Sequence, residues 1–338
     1  MEPLRSDETT SPSGVVSRTA QLSDAPRPRA VLAAADAPRT FWAAPGEATV
    51  VGSGAAKTIR ADGPARFQVI KESAEELFST GDVHAGALAA RPRLFGGFSF
   101  HDEHTGEEPW GGYPGAKFVL PRTQVTHTDT DAWITVNAVG ADATTVEEAL
   151  KDERDRLRAL PDPGSVEDPP GIDARTRTTS KTEWRDSVTA ATGRIAAGEL
   201  RKVVLAQALR ASLSEPLSIP DALTRLGETY PDCYRFLLEP DDGSGGFFGA
   251  TPERLVDLRG RTVDTGALAG TTGRGETPEE DEWLAEELLA DEKNSHEHDL
   301  VVGAVREQLE PHAASIRTGT RQIRRLATVQ HIETPITA

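Results

Sequence analysis

The sequence holds one cysteine, Cys233, among 338 residues. A single cysteine excludes an intrachain disulfide framework and fits a reducing compartment such as the cytoplasm. It sits in Y-P-D-C-Y-R with no histidine nearby, so it reads as a small residue filling core or strand space rather than as a nucleophile. No run of about 18 apolar residues occurs, so no membrane-spanning helix is expected. The first 30 residues lack the apolar stretch of a secretory signal, and Glu2, Asp7, Glu8 and Asp24 argue against an acid-poor transit peptide. Their Ser, Thr, Pro and Ala content predicts a disordered tail over 1–38. Lysine is also scarce, with seven among 37 basic residues against 54 acidic ones, a net charge of −17. Such a surface repels nucleic acid and anionic lipid, so neither is expected as a partner. It fits either a protein adapted to high salt or one kept soluble by ordinary acidity.

No internal repeat or heptad array is present, and 37% hydrophobic residues suffice for a sizeable core. Short strands are predicted at T-F-W-A (40–43), A-T-V-V-G (48–52) and A-R-F-Q-V-I (65–70), followed by a helix over 71–88. R-L-F-G-G-F-S-F (93–100), K-F-V-L-P-R (117–122) and D-A-W-I-T-V-N-A (131–138) read as further strands, and 144–160 as a charged helix. P-D-P-G-S-V-E-D-P-P-G (161–171) has linker composition. The division expected is a tail over 1–38, a first half over 39–160, a linker or long loop over 161–179 and a second half over 180–338. Ser180-Lys-Thr-Glu183 is a capping-box pattern, and Trp184, Val188, Ala191 and Ile195 follow at helical spacing. A strand is expected at 201–208, hairpins over 235–250 and 253–266, and one long helix or two over 278–310. Many strands joined by tight turns, with few helices between them, predict antiparallel sheets and the α+β class.

Several residues could carry chemistry. In the strand K-V-V-L-A, Lys202 shares a face with Val204 and Ala206; a lysine among apolar neighbours has a lowered pKa and can act as a base, whereas one at a strand edge is merely solvated. Glu253, in A-T-P-E-R-L after a glycine-rich apolar strand, reads either as a carboxylic acid held near an apolar wall or as a surface partner of Arg254 or Arg261. G-A-L-A-G-T-T-G-R-G (266–275) reads as a small-residue loop that lets backbone N–H groups approach an anion; it matches neither phosphate-loop pattern. His296 and His298 are two apart and cannot share a metal on a helix. Glu297 falls beside Val301, Ala304 and Val305 on the apolar side, where a carboxylate needs a cation, and magnesium is a natural one. His331, after L-A-T-V-Q, is either a substrate donor or a core histidine.

In order, K-V-V-L-A (202–206), T-P-E-R-L (251–255), A-L-A-G-T (267–271), K-x-x-x-E-H-x-x-V-V and V-Q-H-I resemble the chorismate-binding enzymes, a family that includes isochorismate, salicylate, anthranilate and aminodeoxychorismate synthases. The resemblance runs from about Phe41 to the end. It implies an αββα sandwich of large antiparallel sheets covered by helices, with Mg²⁺, chorismate as substrate and a monomer. It further implies that Lys202 takes a proton from water attacking ring C2, that Glu253 protonates the departing C4 hydroxyl, and that Glu297 is a metal carboxylate. Ala269, Gly270 and Thr271 would lie against the substrate, and His331 would line the pocket. Lys202 favours the isochorismate branch, for menaquinone formation, because the ammonia-using anthranilate enzymes lack this lysine and carry D-L-x-R-N-D where this chain has V-V-G-A-V-R-E-Q. The alternatives are a salicylate synthase, which adds pyruvate elimination, an anthranilate or aminodeoxychorismate synthase component, or an inactive fragment. Gln207 and Glu333 depart from the family's usual residues; Glu333 is expected to point away from the substrate. The family's final segment, with a second metal glutamate, would follow Ala338, so this chain by itself is expected to be inactive or poorly folded.

Overall fold

The computed structural model describes residues 14–104 and 106–338. The chain begins with β1 (Val15–Leu22), α1 (Pro28–Ala33), β2 (Thr40–Ala43), β3 (Thr49–Ala61), α2 (Arg66–Ser79), β4 (Asp82–His84), β5 (Phe95–Phe98), β6 (Ala116–His127), β7 (Ala132–Val139) and α3 (Ala143–Arg158). It continues with β8 (Ile172–Arg177), α4 (Lys181–Ala196), β9 (Leu209–Leu213), α5 (Ile219–Thr229), β10 (Tyr234–Leu238) and β11 (Phe247–Thr251). It closes with β12 (Asp257–Arg259), β13 (Thr262–Gly273), α6 (Pro278–Ala290), α7 (Glu292–Leu309), β14 (Arg317–Thr318), β15 (Gln322–Arg325) and β16 (Val329–Thr337). The class is α+β, as expected.

Two compact units are formed, one from residues 1–167 with 218–250 and one from 168–217 with 251–338. The break at 167/168 falls within the Pro-rich 161–171 stretch. The segment 218–250 departs from the linear division, because β10 pairs with β2 and so belongs to the first unit's sheet. Residues 172–177, expected within a linker, form β8 and pair with β9.

The first unit is a nine-stranded sheet in the order β11-β10-β2-β3-β6-β7-β1-β4, with β5 on β6. Neighbours are antiparallel in the registers resolved, except for the parallel pair β1 and β4. Its core packs Leu32, Phe41, Val51, Ile134, Leu157, Leu223 and Leu237 together. The expected tail is contradicted over 14–38. Val15, Val16, Ser17 and Arg18 of β1 are buried between β7 and β4, with eight register pairs to β7. The polar residues that made this segment look unstructured are satisfied inside: Ser17 Oγ donates to Asn137 Oδ1 at 2.8 Å, and Arg18 reaches Asp82 at 2.6 Å and Glu147 at 3.1 Å. Residues 1–13 of that expectation lie outside the described residues.

A-R-F-Q-V-I, expected as a strand, is instead the first turn and a half of α2. Arg66, Ile70 and Leu77 are its buried residues, at helical spacing, and the short run of large side chains misled the period-two reading. The strands at 40–43, 93–100, 117–122 and 131–138 and the helix after Asp142 form as expected; the Asp142 carboxylate accepts from Thr145 N–H at 2.9 Å and caps α3.

The second unit contains a five-stranded sheet in the order β12-β13-β16-β14, with β15 on β16, and the separate β8–β9 ribbon. β16 alternates cleanly: Gln330, Ile332, Thr334 and Ile336 are buried on one face while His331 and Glu333 point to the other. The Ser180 capping box is present in both halves, Glu183 N–H to Ser180 Oγ at 3.2 Å and Ser180 N–H to the Glu183 carboxylate at 2.8 Å, and Gly198 ends the helix at φ +74°. Its apolar stripe is not buried, since Val188 and Ile195 are about two-fifths exposed.

Candidate active site

All seven predicted site residues lie in the second unit. The stretch expected as a flexible loop is the end of β13, and what looked like loop chemistry is a β-bulge. Between Leu268 and Thr271 the register with β16 slips, so Ala269 and Gly270 are set against the single residue Ile332 between Glu333 and His331. Gly270 has φ +85°, and a Cβ there would lie 3.0 Å from Ile332 Cδ1 and 3.5 Å from Asn294 Cβ. Only glycine takes that conformation without strain.

After the bulge Thr271 stands directly opposite His331, and Thr271 Oγ1 lies 2.8 Å from His331 Nδ1. Burial pushes the His331 imidazole below its usual pKa of 6.5, and the Arg324 guanidinium adds to this; a backbone hydrogen bond to Gly270 and the Glu253 carboxylate pull the other way. A neutral ring suits a hydrogen-bonding contact to substrate. The structure thus brings Gly270, Thr271 and His331 together and sets Glu253 within electrostatic reach of them. Glu253 itself is exposed, with its N–H donating to Thr251 Oγ1 at 3.3 Å, rather than held against an apolar wall. The physical reason is local: its neighbour Leu255 is 89% exposed and forms no wall.

On the opposite face of the bulge, α7 supplies a residue that the sequence reading missed. His298 is fully buried; its Nδ1 lies 3.2 Å from the carbonyl of Ala269, and its Nε2 lies 2.7 Å from Thr334 Oγ1. A carbonyl only accepts, so Nδ1 carries the proton and Nε2 accepts from the threonine hydroxyl. Burial lowers the pKa below 6.5 and keeps the ring neutral, opposed by the Ala269 backbone hydrogen bond. His298 therefore joins α7 to both β13 and β16 at the bulge. A signal was available: with Asn294, Val301, Val302 and Val305 it forms a three-to-four-residue stripe.

Glu297, expected on the apolar side of α7, is half-buried beside His298, which takes the fully buried place. Lys202 departs most from expectation. Residues 202–208 form no strand, since β9 starts only at Leu209, and Lys202 is exposed with Val204 79% exposed. Lacking paired strands on either side, the segment has no apolar face in which to bury an ammonium. Its charge nonetheless reaches His298 and disfavours a second proton there. Glu333 faces the same side as His331 and is held by Arg324 at 3.1 Å and Gln322 at 3.0 Å, so its charge is neutralised on β15.

Glu297 is the residue expected to hold a metal. Among the described residues no group of three or more His, Cys, Asp or Glu side chains converges as a closed metal cage. One half-buried carboxylate does fit magnesium, a hard cation that keeps several waters and takes its remaining ligands from an anionic substrate.

Beside the site, Arg274 and Arg325 converge on Asp281. Arg274 donates at 2.7 and 2.9 Å, Arg325 at 3.2 Å, and the Gly275 N–H at 2.9 Å. The Arg274 hydrogen bond is the main reason the Asp281 carboxyl is lowered from 3.8 to about 2. Gln330 donates to the backbone carbonyls of Gly273 and Asp281, so this cluster fixes the end of β13 beyond Thr271.

Comparison with known proteins places the chain by sequence and by fold. The sequence matches the family described as chorismate binding enzyme over residues 3–338. It is 30% identical over 310 residues to the isochorismate synthase MenF of Bacillus subtilis, covering 88% of this chain and 65% of that protein. It is 32% identical over 311 residues to a salicylate biosynthesis isochorismate synthase of Pseudomonas aeruginosa, covering 89% and 63%. The chain thus spans about two thirds of the length of these curated relatives. The fold matches the menaquinone-specific isochorismate synthase MenF of Escherichia coli with a TM-score of 0.76 at 23% identity, covering 97% of this chain and 71% of that one. The chain belongs to the chorismate-binding enzyme family.

Proposed function

We propose that this chain carries the chemistry of an isochorismate synthase, the Mg²⁺-dependent isomerase that converts chorismate to isochorismate, in the service of menaquinone formation. The observation that carries the reading is the pairing of Thr271 with His331 across the Ala269–Gly270 bulge, within the electrostatic reach of Glu253. The two curated relatives are both named as isochorismate synthases.

Lys202 serves as the base that removes a proton from water as its oxygen bonds to ring C2. The ring double bonds shift, the C4–O bond breaks, and Glu253 returns a proton so that the C4 hydroxyl leaves as water. One water enters and one leaves, so the reaction is an isomerisation and needs no organic cofactor. Neutral His331 and Thr271 hold the substrate by hydrogen bonds, and the small residues Ala269 and Gly270 allow its ring to approach the backbone. Glu297 would hold the magnesium ion, which supplies charge neutralisation for the substrate carboxylate when bound. Lys202 has no buried environment of its own, so closure of 202–208 over bound substrate would supply the desolvation that lowers the lysine pKa and leaves a neutral amine to act as the base.

No helix among the described residues is long and apolar enough to cross a membrane. The single cysteine supports a cytoplasmic placement, and the acidic surface supports a monomer that binds no nucleic acid. The test is product analysis after incubating the full-length protein with chorismate and Mg²⁺. Isochorismate alone supports the proposal; salicylate with pyruvate assigns a salicylate synthase, and absence of turnover rejects both.

A further inference from the structure

The two N-terminal motifs, R-L-F-G-G-F-S-F and K-F-V-L-P-R, have no part in the chemistry above, yet they pair with each other. β5 lies antiparallel on β6 with Gly97 opposite Lys117 and Phe95 opposite Val119. Side chains opposite each other in an antiparallel pair share a face. Gly97 has no side chain, and a Cβ built there would meet nothing within 4 Å. Open space therefore lies beside Lys117, in a cavity of about 460 Å³ within the first unit that Lys117 and Gly97 line together with Thr40, Trp110 and Phe247. That volume is in the range that small-molecule sites occupy.

The walls are largely aromatic, and Lys117 and Glu239 line them together with His101 and His104. Trp110 packs edge-on against Phe247 at 5.2 Å between ring centres, Phe236 lies 5.1 Å from Phe247, and both Trp110 and Phe247 remain about two-fifths exposed. Tyr113 fixes this wall: its hydroxyl donates to the Leu238 carbonyl at 2.8 Å and accepts from the Phe247 N–H at 2.9 Å. The Glu239 carboxylate at the cavity edge is already taken by Arg39, through Nη2 at 2.6 Å and the backbone N–H at 2.9 Å. Lys117 is different. Its side chain is 8% exposed; its ammonium donates to the Glu239 carbonyl at 2.8 Å and lies 3.0 Å from Asp241, a carboxylate that Arg60 also engages. Among the described residues the ammonium has these two acceptors, which leaves one of its three donors for a ligand. Thr40, which also lines the cavity, is buried with a hydroxyl that has no hydrogen-bond partner among the described residues.

We propose that this cavity is a binding site for a small aromatic carboxylate, its ring against Trp110 and Phe247 and its carboxylate on the third donor of Lys117. Ring stacking and a charge-assisted hydrogen bond in a largely apolar pocket are complementary to that ligand class and to no cation. The site lies in the first unit and does not depend on the reading of the second.

The test is calorimetric titration of the full-length protein with 4-fluorobenzoate and, as the uncharged analogue, 4-fluorobenzyl alcohol. The expected result is saturable one-site binding of the acid, with the alcohol about tenfold weaker or more. Lys117→Met should remove the preference for the acid, and Gly97→Leu, which fills the space beside Lys117, should remove binding of both. A Lys202→Ala, His331→Ala double variant should bind as the unaltered protein does. Failure of the acid to bind, or binding unchanged by Gly97→Leu, overturns the proposal. So does binding lost in the double variant, which would place the ligand in the second unit. Gly97→Leu keeps the test decisive if Lys117→Met fails to fold.

Discussion

His298 and Thr334 are joined side chain to side chain at 2.7 Å inside the second unit, and the same imidazole bonds the carbonyl of Ala269 at the bulge. One buried ring thereby sets the position of the strand that carries His331 and of the backbone turn that carries Gly270. His298→Ala removes both hydrogen bonds, leaves the Thr334 hydroxyl and the Ala269 carbonyl without their buried partner, and opens a cavity. A loss of about 2–4 kcal/mol is expected, read as a fall in the urea midpoint. The neutral ring also makes stability pH-dependent. The folded pKa lies below the ordinary 6.5, so the contribution is complete above that value and is lost as pH falls through the folded pKa. Urea midpoints of the unaltered protein and of His298→Ala should therefore converge as the pH is lowered from 7.5 toward 5.

Gly270→Ala forces a Cβ into a left-handed backbone and to within 3.0 Å of Ile332. The expected cost is about 1–3 kcal/mol, or a shifted bulge that moves Thr271 off His331. Chemical-shift changes at His331 together with a lower melting temperature would show it. An unchanged melting temperature would mean that the bulge is not the strained turn described.

Asp281→Asn removes the charge that Arg274 and Arg325 share. It should lower the melting temperature at pH 7. The Asp281 pKa is lowered from 3.8 to about 2 in the folded state, so its contribution is present above about 4 and is lost as pH falls toward 2. Thermal melts of the two proteins should differ at pH 6 and approach each other near pH 2. A constant difference across that range would assign the effect to packing rather than to charge.

The parts of the fold that were legible in sequence have local causes. T-F-W-A became β2, the capping box at Ser180 formed both of its hydrogen bonds, and the 235–250 hairpin became β10 and β11 around Asp241–Gly246. β1 was missed because Ser17 and Arg18 look like tail residues until Asn137, Asp82 and Glu147, all more than 60 positions away, supply their partners. The order of motifs pointed to the right family and to the Thr271–His331 neighbourhood. The bulge that makes that neighbourhood depends on one extra residue in β13 relative to β16, a property of pairing that neither strand shows alone. His298 was hidden in H-E-H-D, where charge masks a buried position. K-V-V-L-A reads as strand because it is β-branched and apolar, but a strand needs a partner, and among the described residues no strand pairs with 202–207; pairing begins at Ala208, which bonds Thr178.

The most direct test of the proposed chemistry is to run the reaction of the full-length protein with chorismate and Mg²⁺ in ¹⁸O-water and to locate the label in the product. Water attack at C2 with loss of the C4 hydroxyl should give isochorismate carrying one ¹⁸O, at C2. Lys202→Ala should lower the rate by a factor of about 10²–10⁴ without moving the label. Isochorismate free of label, or full activity in Lys202→Ala, would contradict water activation by this lysine.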